Sequence, residues 1–357
     1  MRKIVEGNII EADVQALVNT VNTVGVMGKG IALQFHRAFP EMFKSYEAAC
    51  KSKTLQPGML HVFDRGQILN PRYIINFPTK RHWKGKSKIA DIESGLDALV
   101  KELRTRGISS VAIPPLGCGN GGLDWEDVLP LIERAMDRVP EVEVLIYTPT
   151  GAPEPAKMVN RTKRPEMTAT LASMLRLLSD YRVLGYDLTL IEIQKILYFF
   201  QVAGEPLRLQ FVKHHYGPYT DGFRNVLKRI EGHFLEGFGD GNHSPEATIQ
   251  LFDDAVSEAV EVSERSSSPE QQDRVRRVFD LIEGFESPYG LELLASVHWV
   301  VIEGGVPNEP DSVVRAIQDW TDRKRQIMRA DHIRVAWERL NDLGWLRPGV
   351  ATPVATN

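Results

Sequence analysis

Cysteine is scarce in this chain of 357 residues: Cys50 and Cys118 are the only two. They offer neither a disulfide framework nor the paired spacing of a zinc site, which suits a reducing cytoplasm. No apolar run is long enough to span a bilayer, and the first residues, MRKIVEGNIIEAD, lack the apolar core of a secretion signal. Two phosphate-binding signatures are missing as well. No G-x-x-x-x-G-K-[ST] run occurs, which excludes a P-loop NTPase, and no G-x-G-x-x-G follows the first strand, which argues against an ordinary dinucleotide-binding domain. There is no internal repeat. An excess of either charge is absent overall, with 43 Lys+Arg against 47 Asp+Glu. The charge is nevertheless uneven: residues 1–155 hold 19 basic and 18 acidic residues, leaving 24 and 29 for the rest. The length favours two domains over one.

What the first domain does contain is glycine, in two clusters. Val18 to Phe35 reads VNTVNTVGVMGKGIALQF. Asn19 and Asn22 precede Gly25, Gly28 and Gly30, and an apolar-periodic run begins at Ile31. Glycine lets the backbone turn tightly with its N–H groups outward, and a helix N-terminus behind it adds partial positive charge. That combination suits a diphosphate, although three glycines alone fit a plain βα loop equally well. The second cluster, Pro114 to Gly122, holds Gly117, Gly119, Gly121 and Gly122 and also precedes a helix, from about Trp125. Two such loops in one small domain point to a diphosphate gripped from both sides.

Periodicity predicts strands over Lys3–Glu6, Ala16–Asn19, Met59–Phe63, Arg72–Phe77, Ser110–Ile113 and Val142–Tyr147. Helices are predicted from Ile31 to near Phe39-Pro40, over Glu41–Lys51 and Ile89–Arg106, and from Trp125. Helices separate most strands, so residues 1–150 form an α/β domain whose central sheet is layered by helices. Ligands of such sheets sit beyond the carboxyl ends of the strands. That nominates the loops Gly7–Ile9, Asn19–Gly30, Pro78–Lys80 and Leu116–Gly122.

At this point the domain resembles a known family, the macrodomains, which bind or remove ADP-ribose. The matching residues are Gly7-Asn8-Ile9, Val18-Asn19-Thr20-Val21-Asn22, Met27-Gly28-Lys29-Gly30-Ile31-Ala32, and the run from Ile113 to Trp125. Within the family the domain is similar to the branch of the terminal ADP-ribose glycohydrolase, and in particular to antitoxins that clear ADP-ribose from DNA modified by a toxin. The resemblance implies a mixed sheet and roles for the matching positions. Asn8 and Ile9 would lie against adenine. Gly28 to Ala32 and Gly117 to Gly121 would cradle the diphosphate, Asn22 would hold the distal ribose, and Tyr147 would flank the adenosine half. Asn19, Thr23, Met27, Lys29, Gly30, Ile31, Leu33, Leu116, Cys118, Gly119 and Asn120 would complete the contacts. Two departures stand out. Most macrodomains place Asp where this chain has Asn8, and the related protein glycohydrolases carry an acidic residue where it has Gly121.

Cleavage at ribose C1″ passes through an oxocarbenium-like state and needs help for the leaving group. The glycine loops offer no carboxylate pair, and Asp124 suits the N-cap of the helix entered at Trp125. Lys80, directly after Asn76-Phe77-Pro78-Thr79, is the candidate catalytic residue, and the resemblance points to the same lysine. It could attack as a neutral amine, or act as a protonated donor; the sequence leaves both open, and a solvent-facing lysine is the bland alternative. The run Lys80-Arg81-His82-Trp83-Lys84-Gly85-Lys86-Ser87-Lys88 holds five Lys/Arg and one indole. Basic groups neutralise phosphates and an indole stacks on a splayed base, so Arg81, His82, Trp83 and Lys84 are candidate DNA contacts. Otherwise the run is a solvated loop. Cys118 reads as a small loop residue and His61 as a packed strand residue.

Three prolines and a glycine between Thr148 and Pro155 mark a linker, residues 151–165, and a mainly α domain follows over 166–357. Its helices are expected over Met167–Leu178, Thr189–Val202, Phe223–Phe234, 269–287, 289–303, 311–318 and 322–343, with a strand at Arg208–Lys213 and a turn at His214–Tyr219. It holds no catalytic constellation. Ile193 to Phe199 with Tyr216-Gly217-Pro218 resembles, over a short stretch, the Panacea-like modules that neutralise toxins. Ten acidic residues and one basic lie between Glu231 and Glu270. This window could cover the positive DNA groove of a toxin, or be a solvated, partly mobile segment. The expected function is therefore an antitoxin. Its macrodomain would remove ADP-ribose from bases of single-stranded DNA, and its second domain would bind the cognate ADP-ribosyltransferase. No metal or redox cofactor is implied, and water is the co-substrate. The alternatives are an esterase acting on ADP-ribosylated Asp or Glu of proteins and a non-catalytic ADP-ribose reader.

Overall fold

The computed structural model describes residues 1–151, 153–183, 188–241, 247–266 and 268–347. It divides into two units. The first is Met1–Lys163 with the short segment Gly239–Asn242, and the second is Arg164–Phe238 with His243–Asn357.

In the first unit six strands form one sheet: β1 (Arg2–Val5), β2 (Ala16–Val21), β3 (His61–Asp64), β4 (Tyr73–Pro78), β5 (Ser110–Ile113) and β6 (Glu143–Tyr147). Their spatial order is β1-β6-β5-β2-β4-β3. Every pairing is parallel except β3 with β4, which is antiparallel. Four helices cover the faces: α1 (Gly30–Ala38), α2 (Pro40–Lys51), α3 (Ile89–Arg106) and α4 (Trp125–Met136). Strand alternation sends Ala16 and Val18 to the α3/α4 side and Leu17 and Val21 to the α1/α2 side, which gives the sheet two cores. Gly95 lets α3 approach closely, because a Cβ there would sit 2.2 Å from the Phe77 ring. Gly107, at φ +61°, ends α3 in the left-handed cap that glycine favours. Because β1, β2, β4, β5 and β6 are mutually parallel, their carboxyl ends share one edge of the sheet.

Up to Lys163, the stretch expected as a linker packs within this unit. The Arg161 N–H donates to the Arg37 carbonyl (2.8 Å), the Arg161 guanidinium lies over the Phe39 ring, and Val159 joins the α1/α2-side core.

The second unit is built around two helices buried on nearly all sides, α6 (Leu190–Val202) and α10 (Pro288–Ile302). Thr189 and Glu192 form a reciprocal capping box at the start of α6. Around them lie α5 (Ala169–Val183), α7 (Asp221–Ile230), α8 (Asp253–Ser266), α9 (Pro269–Ile282), α11 (Pro310–Gln318), α12 (Asp322–Ile327) and α13 (Ala330–Asp342). Two small antiparallel pairs complete it: β7 (Val212–His214) with β8 (Gly217–Tyr219), and β9 (Leu235–Glu236) with β10 (Gln250–Leu251). Among the described residues, no helix is long and apolar enough to cross a membrane.

Four expectations for this unit are corrected. The strand placed at 208–213 begins at Val212, since Arg208 takes a left-handed φ of +56°. The turn placed at 214–219 is the end of a hairpin, which Gly217 at φ +86° permits. The helix placed over 322–343 is two helices, broken where Met328 turns extended to bury its side chain completely. Much of the acidic window is the ordered helix α8, anchored by Ala255, Ala259 and Ser263 and by ion pairs from Arg164 to Asp254 and Glu258. Residues 242–246 and 267 of that window lie outside the described residues.

Burial of charge sets the second core apart. The Lys324 ammonium is fully buried and donates to Glu292 Oε1 (2.5 Å) and Ser296 Oγ (2.9 Å), while Arg323 also pairs with Glu292. Lys195 is buried too, donates to the Pro218 carbonyl (2.6 Å) and has its pKa pushed down to about 7 by burial. Removing one partner of a buried pair leaves the other charge uncompensated. Glu292→Gln is therefore expected to destabilise the second unit by about 3–5 kcal/mol, read as a lowered midpoint in chemical denaturation.

Candidate active site

Four loops converge on the shared edge: Glu6–Asn8 after β1, Asn22–Lys29 after β2, Thr79–Lys88 after β4 and Pro114–Asp124 after β5. Tyr147 ends β6 beside Val5 and is largely buried, which raises its phenol pKa. The Asn8 side chain accepts from the Ile10 N–H (3.1 Å) and caps a short 3-10 turn that buries Ile9.

The loop after β2 is shaped by Asn22. Its amide donates to the Val26 carbonyl (2.6 Å) and accepts from the Val24 N–H (3.0 Å), closing a turn around Gly25 at φ +82°. Tyr46 from α2 braces the turn through a bond to the Asn22 carbonyl (2.7 Å). Asn19, three residues earlier within β2, is fully buried and donates to Asn76 Oδ1 (2.8 Å) across the β2–β4 pairing. Asn76 in turn bonds the His61 ring, whose pKa burial lowers, and His61 contacts Ser45. Met27 and Leu33 are buried as well, so they support the loop from beneath. Thr23, Gly28, Ile31 and Ala32 are half-buried and Lys29 is exposed. The Gly30 N–H donates to the carbonyl of Asp240 (3.0 Å), in the return segment of this unit, and Gln34 reaches the Asp240 carboxylate.

The loop after β5 closes on itself: the Leu123 N–H donates to the Gly117 carbonyl and the Gly122 N–H to the Gly119 carbonyl. The N–H groups of Gly119, Asn120 and Gly121 have no acceptor among the described residues, so they are available to an anion. Gly121 cannot carry a side chain. A Cβ there would lie 2.3 Å from the Gly117 carbonyl oxygen and 2.3 Å from Ser87 Oγ. This accounts for the missing acidic residue at that position. Leu116 is buried in the α3/α4-side core. Cys118 bonds the Leu116 carbonyl, and burial pushes its thiol pKa up to about 11, so it is no thiolate at neutral pH. Asp124 sits at the N-cap of α4 without a side-chain capping bond.

Lys80 is half-buried, and its Nζ donates to the Asn120 carbonyl at 2.9 Å, so the candidate catalytic amine stands at the second glycine loop. Burial lowers its pKa from the ordinary lysine value, and no carboxylate pairs with it among the described residues. The following residues divide. His82, Trp83 and Lys84 are exposed, with His82 stacked on the indole and Lys84 Nζ over its face. Arg81 instead makes a two-pronged ion pair with Asp91 in the first turn of α3. Ser87, overlooked in the sequence, packs beneath Gly117 and Gly121, and its N–H donates to the Gly121 carbonyl (2.9 Å). Its signal was position alone, at the end of a charged run. The described residues gather no set of three His, Cys, Asp or Glu able to hold a metal. An open cavity of about 460 Å³ lies elsewhere, at the amino ends of β2, β4 and β5, lined by Gln15, Arg72 and Ser110 among others.

A six-stranded sheet with helices on both faces and two glycine loops at its carboxyl edge defines a macrodomain, and the Macro domain family model matches residues 18–132. The chain is 43% identical over 348 residues to the DNA ADP-ribosyl glycohydrolase of Thermus aquaticus, spanning 98% of this chain and 95% of the relative. It belongs to the DNA ADP-ribosyl glycohydrolase family. It is also 40% identical over 161 residues, 41% of each chain, to a DNA ADP-ribosyl transferase–DNA ADP-ribosyl glycohydrolase fusion protein of Thermosipho africanus. Among solved structures, the macrodomain of Mycobacterium tuberculosis DarG matches at 53% identity over 42% of this chain and 99% of that one, with a TM-score of 0.42.

The tight seat of Gly121 yields a direct test. Gly121→Ala forces the loop off Gly117 and Ser87, and overpacking of this kind costs about 1–3 kcal/mol. ADP-ribose affinity is expected to fall about tenfold, measured by calorimetry, and the melting temperature of the first unit to drop by a few degrees.

Proposed function

We propose that this chain hydrolyses the bond between ADP-ribose and a base of single-stranded DNA, and that its second unit binds and neutralises the ADP-ribosyltransferase that makes that modification. The observation that carries the first part is Lys80. Its Nζ lies 2.9 Å from the Asn120 carbonyl, against the loop suited to the diphosphate, with the exposed His82-Trp83-Lys84 cluster next in sequence. The names of the full-length relatives support the same reading. The glycine-loop amides hold the diphosphate and place ribose C1″ before Lys80. Burial lowers the pKa of Lys80 and no carboxylate pairs with it among the described residues, which favours the neutral amine as the reacting form. The Nζ–C1″ bond forms as the C1″–base bond breaks, and the base leaves with the proton the amine sheds. Water then releases ADP-ribose and restores the amine.

The rate of this step rises with pH until Lys80 is deprotonated. Single-turnover hydrolysis of an ADP-ribosylated oligonucleotide should therefore fall tenfold per pH unit below a midpoint under the ordinary lysine value of about 10.4. Lys80→Arg, which stays charged, should be inactive. A rate that instead declines as pH rises would assign the reacting role to the ammonium. The DNA substrate adds a second signature. With about three phosphates neutralised, kcat/KM should drop roughly twentyfold between about 50 and 200 mM salt. A flat response would favour an ADP-ribosylated protein as substrate.

The second part is supported by the Thermosipho fusion, which joins a transferase and a glycohydrolase in one chain, and by α8. This helix carries Asp253, Asp254, Glu258, Glu261 and Glu264, and an enzyme acting on single-stranded DNA needs a positive groove that such a surface complements. Asp253→Lys with Glu264→Lys in the full chain is expected to weaken binding of the transferase at least about tenfold, or 1.4 kcal/mol, by titration calorimetry. Unchanged binding would remove α8 from the interface.

A further inference from the structure

Residues 79–88 connect β4 to α3, and their contacts are not those of a uniformly solvated basic loop. The Thr79 N–H donates to the Val21 carbonyl at the end of β2 (3.0 Å). The Arg81 guanidinium turns back to Asp91 with both terminal nitrogens, Nη1 to Oδ2 at 2.7 Å and Nη2 to Oδ1 at 3.1 Å. Asp91 is 8% exposed and occupies the first turn of α3, where the helix N-terminus favours a carboxylate. Its neighbours Ile92, Leu96 and Leu99 are core residues, so the anchor is rigid. The Arg81 carbonyl faces the other way and accepts from the Thr23 N–H (3.3 Å) and the Thr23 hydroxyl (2.9 Å) of the β2–α1 loop. The backbone at residue 81 is thus clamped from two sides, one peptide from Lys80. Ser87 closes the far end of the loop on Gly121. Between the two clamps, the described hydrogen bonds of residues 82–86 stay within the loop.

We propose that the Arg81–Asp91 pair is a positioning device for Lys80: it holds the amine at the Asn120 carbonyl and leaves His82, Trp83 and Lys84 as the part of the loop that meets DNA. This rests on the reading of Lys80 as the reactive residue. The Arg81 side chain is 58% exposed, and an ion pair with so open a partner adds little to folding stability. Its geometric effect is larger, because displacing a reacting group by about 1 Å can cost about a hundredfold in rate. With both terminal nitrogens turned to Asp91, the guanidinium is also poorly placed to track a phosphate backbone.

The test compares Asp91→Asn, Asp91→Glu, Arg81→Met and the Arg81→Met/Asp91→Asn double variant in the full chain, on an ADP-ribosylated oligonucleotide. Asp91→Asn and Arg81→Met should each lower kcat about tenfold to a hundredfold. KM and the ADP-ribose dissociation constant should stay within about twofold, because the diphosphate loops are untouched. Asp91→Glu should recover much of the loss by re-forming the pair. The double variant should be no slower than the slower single one, as for two halves of one interaction. The salt dependence of kcat/KM should be unchanged in Arg81→Met and flattened in Lys84→Met. A silent Asp91→Asn, or an Arg81→Met whose defect is a raised KM with a flattened salt dependence, would overturn the proposal and make Arg81 a phosphate contact. An unmodified chain inactive on the oligonucleotide, or a Lys80→Ala variant as active as it, would overturn the Lys80 reading itself.

Discussion

The bond from Lys80 to the Asn120 carbonyl depends on how the sheet is ordered. β2 lies between β5 and β4, and all three run parallel, so the loops that follow β4 and β5 face each other across the loop that follows β2. An amine leaving β4 can then reach a carbonyl leaving β5 in one side-chain length. Everything else at the edge serves that meeting. Gly121 has no room for a side chain because Ser87 and Gly117 fill it. Asn22 and Tyr46 hold the middle loop in a turn that Thr23 then ties to Arg81. A carboxylate, the usual partner in glycoside cleavage, has no space at Gly121, and the Lys80 amine stands beside that loop instead.

Beneath the edge, the sheet uses polar side chains where apolar ones would be expected. Asn19, Asn76 and His61 form a chain of hydrogen bonds through three neighbouring strands, ending at Ser45 of α2. A buried polar network is stable when its members are paired, and its directional bonds then fix strand register more sharply than apolar contact does. Asn19 Oδ1 remains without a partner among the described residues. The second unit takes this further with Glu292, Lys324 and Lys195 inside its core. Lys324 and Lys195 sit beneath the β7–β8 hairpin or near it: Lys195 reaches the Pro218 carbonyl, and Ser296 Oγ lies against Gly217. Burying charge seldom adds stability over a well-packed apolar core, and of these groups Lys195 is the one that bonds the hairpin backbone directly.

Much of the first unit was legible because its elements are short, punctuated and periodic. The runs at Ile89–Arg106 and Ser110–Ile113 fall where their patterns place them, and Gly107 ends α3. Both glycine loops were visible for the same reason, as was Lys80 behind Pro78. The second unit was less legible. α6 and α10 are apolar on nearly every face, so their helical character showed while their partners did not. α8 was hidden because its acidic residues resemble those of a solvated segment, whereas its burial relies on small residues at Ala255, Ala259 and Ser263. The break at Met328 follows from burying one side chain, which leaves no mark on local propensity.

Local chemistry alone determined the strand-and-helix alternation of residues 1–150, the two glycine loops, the lysine after β4 and the charged run behind it. These depend on period, punctuation and residue type, all of which are properties of neighbours in sequence. Tertiary structure decided which of those residues meet. Pairing β2 with β4 made Asn19, the last residue of the predicted strand, a core brace. Packing α3 against the sheet set Asp91 where the Arg81 guanidinium meets it with two hydrogen bonds. Ser87 became a neighbour of Gly121 across 34 residues of chain only because the loops after β4 and β5 share an edge. Such contacts carry no local signature, since the free energy that selects them is gained by burial and pairing between segments distant in sequence.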